Sequence, residues 1–209
     1  MDTLECIRKR RSIRKYQDKP VEWDKVVKII EAARLAPSSG NIQNWKFIIV
    51  REYSSKKKIA HACFDQGWIE EVPVLIVAVV DSEQAERFYG TRGERLYSIQ
   101  NCAAAIENML LAATDLGLGS CWVGAFDESL VRTIVQLPEH VIPHAVITIG
   151  YADEEPLLPQ KKRIEWIIGL EKWVGRMKKP IKGYTSEVIP SIIEGAKRTV
   201  KRHIKKLVK

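Results

Sequence analysis

Six basic side chains stand close together near the start of the chain, around a single serine. They are Arg8, Lys9, Arg10, Arg11, Arg14 and Lys15, with Ser12 between them. Like charges at this density repel one another unless an anion or an acidic partner gathers them. Arginine forks and a short hydroxyl are well suited to phosphate. The residues 8–15, here called the basic segment, therefore predict a phosphate site. A solvated basic helix end and a nucleic-acid patch are the alternatives.

A second polar group follows Pro37 and carries no charge. It consists of Ser38, Ser39, Gly40, Asn41, Gln43 and Asn44, interrupted only by Ile42. Hydroxyls and amides both donate and accept hydrogen bonds. Residues 38–44, the polar loop, therefore suit a planar, uncharged ring with heteroatoms at its edge. The simpler interpretation is a helix-to-strand turn, because serine, glycine and asparagine are common turn residues.

Other kinds of catalytic site have no support in the sequence. The four cysteines and four histidines are scattered, at Cys6, Cys63, Cys102, Cys121, His61, His140, His144 and His203. None has metal-ligand or redox-motif spacing, so we predict no metal site and no protein nucleophile. Reduced thiols indicate a cytoplasmic protein.

The net charge of +8 is confined to one end of the chain. From residue 171 to 209 there are 12 Lys and Arg against 3 Asp and Glu, a net +9, so the rest, with 22 against 23, is nearly neutral at −1. We therefore expect no nucleic acid on the body. No run of about 18 apolar residues indicates a membrane span, and the N-terminus lacks the apolar core of a signal peptide.

The apolar pattern predicts alternating helices and strands. Residues 3–10 form a short helix with Leu4 and Ile7 inward. Residues 23–35 form an amphipathic helix, which cannot continue past Pro37 because the proline ring does not fit in a helix interior. Unbroken apolar runs at 45–50 and 73–80 predict buried strands. Residues 96–116 form the longest helix, rich in alanine and poor in charge, as at a dimer interface. Strands follow at 119–125 and 145–151. The body extends to residue 175, and a basic extension covers 176–209.

Four ordered signatures resemble the nitroreductase family of FMN-dependent oxidoreductases. They are RRSIRKY, APSSGNIQNWKFI, the helical segment IQNCAAAIENMLLAATDLGLGSCWVGAF, and IGYADEEP followed by KKR. The resemblance implies an α+β fold, a mixed sheet flanked by helices, in an intertwined homodimer. Two FMN sites would lie at the subunit interface, and the long helix would lie at the dimer core.

The resemblance also implies which residues hold FMN. The N-terminal motif is matched by Arg10, Arg11, Ser12 and Arg14, and the late basic pair by Lys161 and Arg163. The loop offered to the isoalloxazine ring of the other subunit is matched by Pro37, Ser38, Ser39 and Asn41, and the backbone beside flavin N5 by Val123 and Gly124. Two positions depart from the family pattern. Gln66 stands near a position that often carries Lys or Asn on the pyrimidine side of the flavin, where Gln66 would serve as a neutral donor. Asn44 stands where many members have Pro.

The expected function is an FMN oxidoreductase that passes hydride from NAD(P)H through flavin N5 to an electron-poor acceptor such as a nitroaromatic or quinone, with ping-pong kinetics. Arg10 or Arg14 would stabilise the negative charge of the reduced flavin. One alternative is a specialised member, a reductive dehalogenase or flavin-consuming enzyme, with residues 83–95 as a lid rather than a surface helix. Another is a flavin-free basic binding scaffold.

Residues 186–208 carry an apolar helical stripe with lysine and arginine over the remaining surface. We expect this helix to pack on the body of its own dimer. Association with an anionic membrane surface is the second choice, and nucleic acid is the third.

Overall fold

A computed structural model of the chain describes residues 1–169 and 171–173. Within these ranges the helices are α1 (Thr3–Lys9), α2 (Trp23–Arg34), α3 (Tyr53–Ala62), α4 (Ser82–Arg92), α5 (Ser98–Asp115) and α6 (Glu128–Ile134). The strands are β1 (Trp45–Val50), β2 (Val74–Asp81), β3 (Gly119–Val123) and β4 (Val141–Gly150). The predicted extension at 176–209 and its amphipathic helix lie outside the described residues.

The four strands form one antiparallel sheet in the order β1-β2-β4-β3. Ser12 adds a parallel bridge to Ser120 on the free edge of β3. The sheet with helices on both faces confirms the predicted α+β class, although the pairings of its four strands are all antiparallel and only the isolated Ser12 bridge is parallel. Gly119 and Gly150 stand opposite each other at one end of the β3–β4 ladder.

The central strand β2 is buried on both faces, as its unbroken apolar run predicted. Alternate residues point to opposite sides of a strand. Ile76 and Ala78 therefore pack with α2 and α5, whereas Leu75 and Val77 pack with α3 and α6. Two apolar clusters, one on each face, hold the sheet in place.

Helix α5 is preceded by a π-helical turn, Gly93–Tyr97, where the sequence predicted one continuous helix from residue 96. Its core face includes the fully buried Ala105. Ile99, on its outer surface, is 48% exposed.

The prediction that Leu4 and Ile7 of α1 face inward is wrong for the single chain, where both are more than half exposed. Only Cys6 of α1 is buried, because one chain offers α1 no second apolar surface.

The chain divides into two compact units, Met1–Leu158 and Pro159–Lys209. The first contains all ten helices and strands given above. In the described part of the second, Ile164–Trp166 forms a 3-10 turn. No helix in the described ranges is long and apolar enough to cross a membrane.

His144, near the start of β4, predicts how stability depends on pH. Burial lowers the pKa of its imidazole, and the weaker attraction of Glu128 opposes this shift. The unfolded chain then binds a proton near pH 6.5 that the folded chain does not bind, so stability falls as the pH drops below about 6.5. We expect His144→Gln to flatten this part of the profile, as measured by urea unfolding from pH 7.5 to 5. Parallel losses in wild type and variant would exclude His144 as the source.

Candidate functional site

The basic segment continues into an extended stretch that is bonded on both sides. On one side, the backbone N–H of Ile13 donates to Ser120 O at 2.9 Å. On the other, Asp153 N donates to Lys15 O and Gln17 N donates to Tyr151 O, each at 2.9 Å. The stretch therefore lies between the edge of β3 and the chain that leaves β4. Its backbone is held by hydrogen bonds from both sides.

Two glycines beneath this stretch allow its close approach. A Cβ at Gly119 would lie 2.8 Å from Ile13 Cγ1, and a Cβ at Gly150 would lie 2.7 Å from both Tyr16 and Pro73. Real Cβ atoms do not approach other atoms so closely, so only hydrogen fits at either position without a shift of the neighbours. The opposed pair Gly119 and Gly150 thus forms a shallow seat for Ile13 and Tyr16.

Acidic residues of the same chain neutralise part of the basic segment. The ion pairs are Lys9 with Glu5 at 2.6 Å, Arg10 with Glu107 at 3.9 Å, and Lys15 with Asp153 at 2.6 Å. These pairs are solvent-exposed or half-exposed, so each contributes little to stability. They do relieve the repulsion among the six basic groups that the sequence predicted.

Glu154 holds the segment through its backbone. Its carboxylate accepts the N–H of Lys15 at 3.0 Å and also that of Arg14. The contact fixes the Cα of Arg14 without engaging its guanidinium. The Arg14 side chain is exposed and makes no hydrogen bond or ion pair within the described ranges.

Arg11 is placed differently from Arg14. Its Nη1 donates to Arg8 O at 2.7 Å and to Arg10 O at 2.8 Å, the carbonyls at the end of α1. Arg11 therefore caps a helix, whereas Arg14 presents its full fork of donors to solvent. Of these two predicted ligands, Arg14 has all five guanidinium donors uncommitted in the described ranges, whereas Arg11 has its Nη1 engaged and only Nη2 and Nε uncommitted.

Buried polar groups anchor the same region to the sheet. The Tyr16 hydroxyl donates to Ile13 O and lies 2.7 Å from Thr148 Oγ1, and burial raises the pKa of Tyr16. Burial also raises the pKa of the Cys121 thiol, while Arg14 and a hydrogen bond with Ser12 act in the opposite direction. Ser12 and Arg14 therefore lie near Cys121 in the middle of β3.

The segment expected beside flavin N5 lies at the end of the same strand. Val123 is the last residue of β3 and is 5% exposed, and Gly124 follows it in the open. Three residues separate Ser120 from Val123, about 10 Å along a strand. One strand therefore positions both Ser12 and the pair Val123 and Gly124.

The polar loop is tied to helix α5. The carboxamide of Asn101 accepts both the backbone N–H of Ser39, at 2.9 Å, and its hydroxyl, at 3.1 Å. Gln43 N donates to Ser38 Oγ at 3.1 Å. Pro37 and Asn41 are exposed. The loop is therefore a constrained structure and not only a connector.

Helix α5 contacts both the loop and the basic segment, but on different sides. Asn101 binds the loop and Glu107 pairs with Arg10. At 100° per residue, six residues place these side chains roughly 120° apart around the axis. The loop and the basic segment of one chain thus do not share a face of α5.

Of the remaining predicted site residues, Gln66 and Arg163 have local partners. Gln66 Nε2 donates to Cys63 O at 2.8 Å, so one amide donor of Gln66 is used within the chain. Lys161 and Arg163 belong to the second unit, where both are exposed and Arg163 lies 3.4 Å from Glu165. No group of acidic, histidine or cysteine side chains in the described ranges could hold a metal ion.

Sequence reasoning missed three residues that support the site. Glu154 could have been found from the sequence, because it lies in an acidic patch that follows a strand, and the basic segment has an excess of positive charge that such a patch could neutralise. Asn101 could also have been found, because it is an amide on the buried face of an alanine-rich helix. Asn44 was included in the polar loop and noted as a departure from the family pattern, but its role in supporting the loop was not predicted.

The order of these elements identifies the family. Residues 7–72 and 61–151 match the sequence profile described as the Nitroreductase family. The chain belongs to the nitroreductase family. The resemblance drawn from the four signatures is therefore confirmed.

Individual nitroreductase relatives agree with this assignment. A protein of Methanothermobacter thermautotrophicus, provisionally named an NADH dehydrogenase/NAD(P)H nitroreductase, is 39% identical over 160 residues, which cover 75% of this chain and 80% of that protein. The FMN reductase [NAD(P)H] of Bacillus subtilis is 32% identical over 178 residues, 77% of this chain and 71% of that protein. The solved structure of an FMN-dependent nitroreductase from Clostridium difficile is 27% identical, with a TM-score of 0.70, covering 81% of this chain and 99% of that chain.

Proposed function

We propose that this nitroreductase is an FMN-dependent oxidoreductase that uses NAD(P)H to reduce small, electron-poor aromatic acceptors. The names of its relatives support FMN as the cofactor and NAD(P)H as the electron donor. The observation that carries the proposal is the state of Arg14. Its backbone is clamped by Glu154 and its guanidinium is left without a partner among the described residues. An exposed, preorganised arginine beside Ser12 is a ready anion site.

The residues of the site fit FMN as a whole. Arg10, Ser12 and Arg14 supply positive charge and a hydroxyl for phosphate or for the electron-rich edge of a reduced ring. Val123 and Gly124 supply backbone at the end of β3. When bound, FMN supplies the hydride chemistry, so the chain itself needs no nucleophile or metal.

The neutral loop completes the site from a second chain. Pro37, Ser38, Ser39 and Asn41 stand on the far side of α5 from the partner of Arg10, so we propose an intertwined homodimer with two shared sites. Exposed apolar side chains in the first unit support this. They include Leu4 and Ile7 on α1, Leu35 after α2, and Ile99 on α5. Lys161 and Arg163 remain proposed phosphate ligands.

The acceptor class we propose is nitroaromatic or quinone, with donor and acceptor taking turns at one open cleft. The segment proposed as a lid forms α4 and the π-helical turn after it, which agrees with the surface-helix alternative. A reductive dehalogenase or flavin-consuming enzyme is therefore the less favoured function. The four cysteines are free and buried, in keeping with the cytoplasmic location we propose.

Anaerobic titration tests the proposed function. Purified protein should be yellow, and NADH or NADPH should bleach the flavin band with one equivalent per site. Adding a nitroaromatic or a quinone should restore the band. Double-reciprocal plots of rate against NAD(P)H concentration, taken at several fixed acceptor concentrations, should be parallel, as in ping-pong kinetics. Colourless protein that takes up no added FMN would contradict the proposal and favour the scaffold alternative.

A further inference from the structure

Two buried asparagines join the polar loop to the rest of the first unit. Asn101 accepts twice from Ser39, and its Nδ2 donates to Asn44 Oδ1 at 2.9 Å. Asn44 and Asn101 are only 2% and 4% exposed. Buried amides without partners are costly, so both side chains depend on this connection.

The connection continues from Asn44 into the turn before α5. Asn44 Nδ2 donates to Asp81 O at 3.0 Å and to Ser98 Oγ at 2.9 Å. Ser98, fully buried, donates in turn to Gly93 O at 3.1 Å. The amide network, consisting of Ser39, Asn44, Ser98 and Asn101, thus spans from the loop to the π-helical turn.

The amide network has only one consistent direction of donation. A backbone carbonyl only accepts, and a backbone N–H only donates. The carbonyl of Asp81 at one end and the N–H of Ser39 at the other therefore fix the orientation of both amides between them. Turning either amide over would set donor against donor or acceptor against acceptor in a buried place.

This direction decides what two loop serines can offer a ligand. The hydroxyl proton of Ser39 is given to Asn101, so its oxygen can only accept. Ser38 Oγ accepts from Gln43 N, and its own proton is uncommitted among the described residues. Ser38 is therefore the donor of the pair and Ser39 the acceptor.

The loop needs such support because its backbone is strained. Gly40, Asn41 and Gln43 have φ values of 52°, 58° and 47°. Residues other than glycine adopt this left-handed region at a cost and persist there when their surroundings over-determine them. Tyr89 of α4 packs against the loop at Gly40. Its hydroxyl lies 2.2 Å from the position that a Cβ on Gly40 would occupy, so a larger residue at position 40 would clash with it.

We propose that Asn44 and Asn101 are positioning residues for the cofactor ring. They hold the polar loop in its strained form and set Ser38 as donor and Ser39 as acceptor toward the ring. This inference rests on the proposed function, because the ligand is the FMN of the partner chain. It gives Asn44, the departure from the family pattern, a specific task.

The test compares Asn101→Ala and Asn44→Ala with Asn108→Ala. Asn108 is the matched control because it is also on α5 and also uses its amide, donating to Ala32 O at 3.0 Å, but it does not reach the loop. Hydrogen exchange of the loop peptide is measured in the FMN-free protein by mass spectrometry. Dissociation constants are then measured for FMN and for riboflavin, which has the ring without the phosphate.

For Asn101→Ala and Asn44→Ala we expect loop exchange about 10-fold faster, with FMN and riboflavin weakened by the same factor, about 3- to 10-fold. Asn108→Ala should change neither the loop exchange nor the flavin affinity. Ser39→Ala leaves the Asn44–Asn101 hydrogen bond in place, so it should cause a smaller rise in loop exchange and a smaller loss of flavin affinity. It keeps the test decisive if the asparagine variants fail to fold.

Two results would overturn the positioning role. One is faster loop exchange with unchanged flavin affinity, since the amide network would then only stabilise the fold. The other is loop exchange equal to that of Asn108→Ala. Failure of the proposed function has a different signature, because wild-type protein would then bind neither FMN nor riboflavin.

Discussion

Arg14→Ala is expected to weaken FMN binding roughly 10- to 100-fold, the loss that corresponds to about 1.5–3 kcal/mol for a hydrogen bond to a charged group. The Arg14 side chain is exposed, its guanidinium makes no hydrogen bond or ion pair within the described ranges, and its backbone is held by Glu154. Arg14→Lys keeps the positive charge but loses the forked guanidinium, so its FMN affinity should fall between those of wild type and Arg14→Ala. Titration of FMN-free protein, followed by quenching of flavin fluorescence, measures the effect.

Arg11→Ala is the matched control, since it removes a neighbouring arginine of equal charge. Its donors cap α1 through the carbonyls of Arg8 and Arg10. We therefore expect a lower melting temperature and an FMN affinity within about threefold of wild type. Equal losses of FMN in the two variants would show that the contacts of Arg11 change when the cofactor binds, and would restore it to the phosphate site.

Ile99→Glu is expected to separate the subunits of the dimer and to release FMN with them. Ile99 is 48% exposed on α5, so a glutamate is harmless to the single chain but would be buried and unpaired between two chains. Leaving one uncompensated charge in such a place costs about 3–5 kcal/mol. Analytical ultracentrifugation of the variant and of wild type, with the flavin content of each species, provides the measurement.

Leu130→Glu serves as the comparison for this second substitution. Leu130 of α6 is 41% exposed, and the same change there should leave the mass and flavin content unaltered. Ala105 would be a poorer choice than Ile99, because it is fully buried within its own chain and a charge there would unfold the protomer. A flavin-loaded Ile99→Glu dimer of wild-type stability would place the interface elsewhere.

The sequence predicted the parts of this protein that depend on local pattern. The buried strand β2 follows from its apolar run, and the end of α2 before Pro37 follows from the restricted backbone of proline. The basic segment and the polar loop were both recognised from the sequence, because in each of them residues of one chemical kind stand close together in the chain.

What the sequence could not predict depends on contacts between distant residues. Charge density alone gave Arg11 and Arg14 the same role, and only the path of the backbone turns one toward α1 and leaves the other free. The side-chain partners of Asn44 are 37, 54 and 57 residues away, and no local rule selects them. The exposure of Leu4 and Ile7 could not be predicted either, because helical spacing shows which residues share a face but not whether another element of the chain covers that face.

The paired glycines under the basic segment also restrict how this protein can evolve. Any side chain at position 119 must displace Ile13, and any side chain at 150 must displace Tyr16 and the ring of Pro73. Either displacement would move the strand that carries Arg14, although neither glycine offers a side chain to a ligand. The proposed flavin binding is therefore vulnerable to substitution at positions that a survey of ligand contacts would pass over. A larger residue at 119 is more easily accommodated when the residue at 13 is smaller, so we expect these two positions to change together.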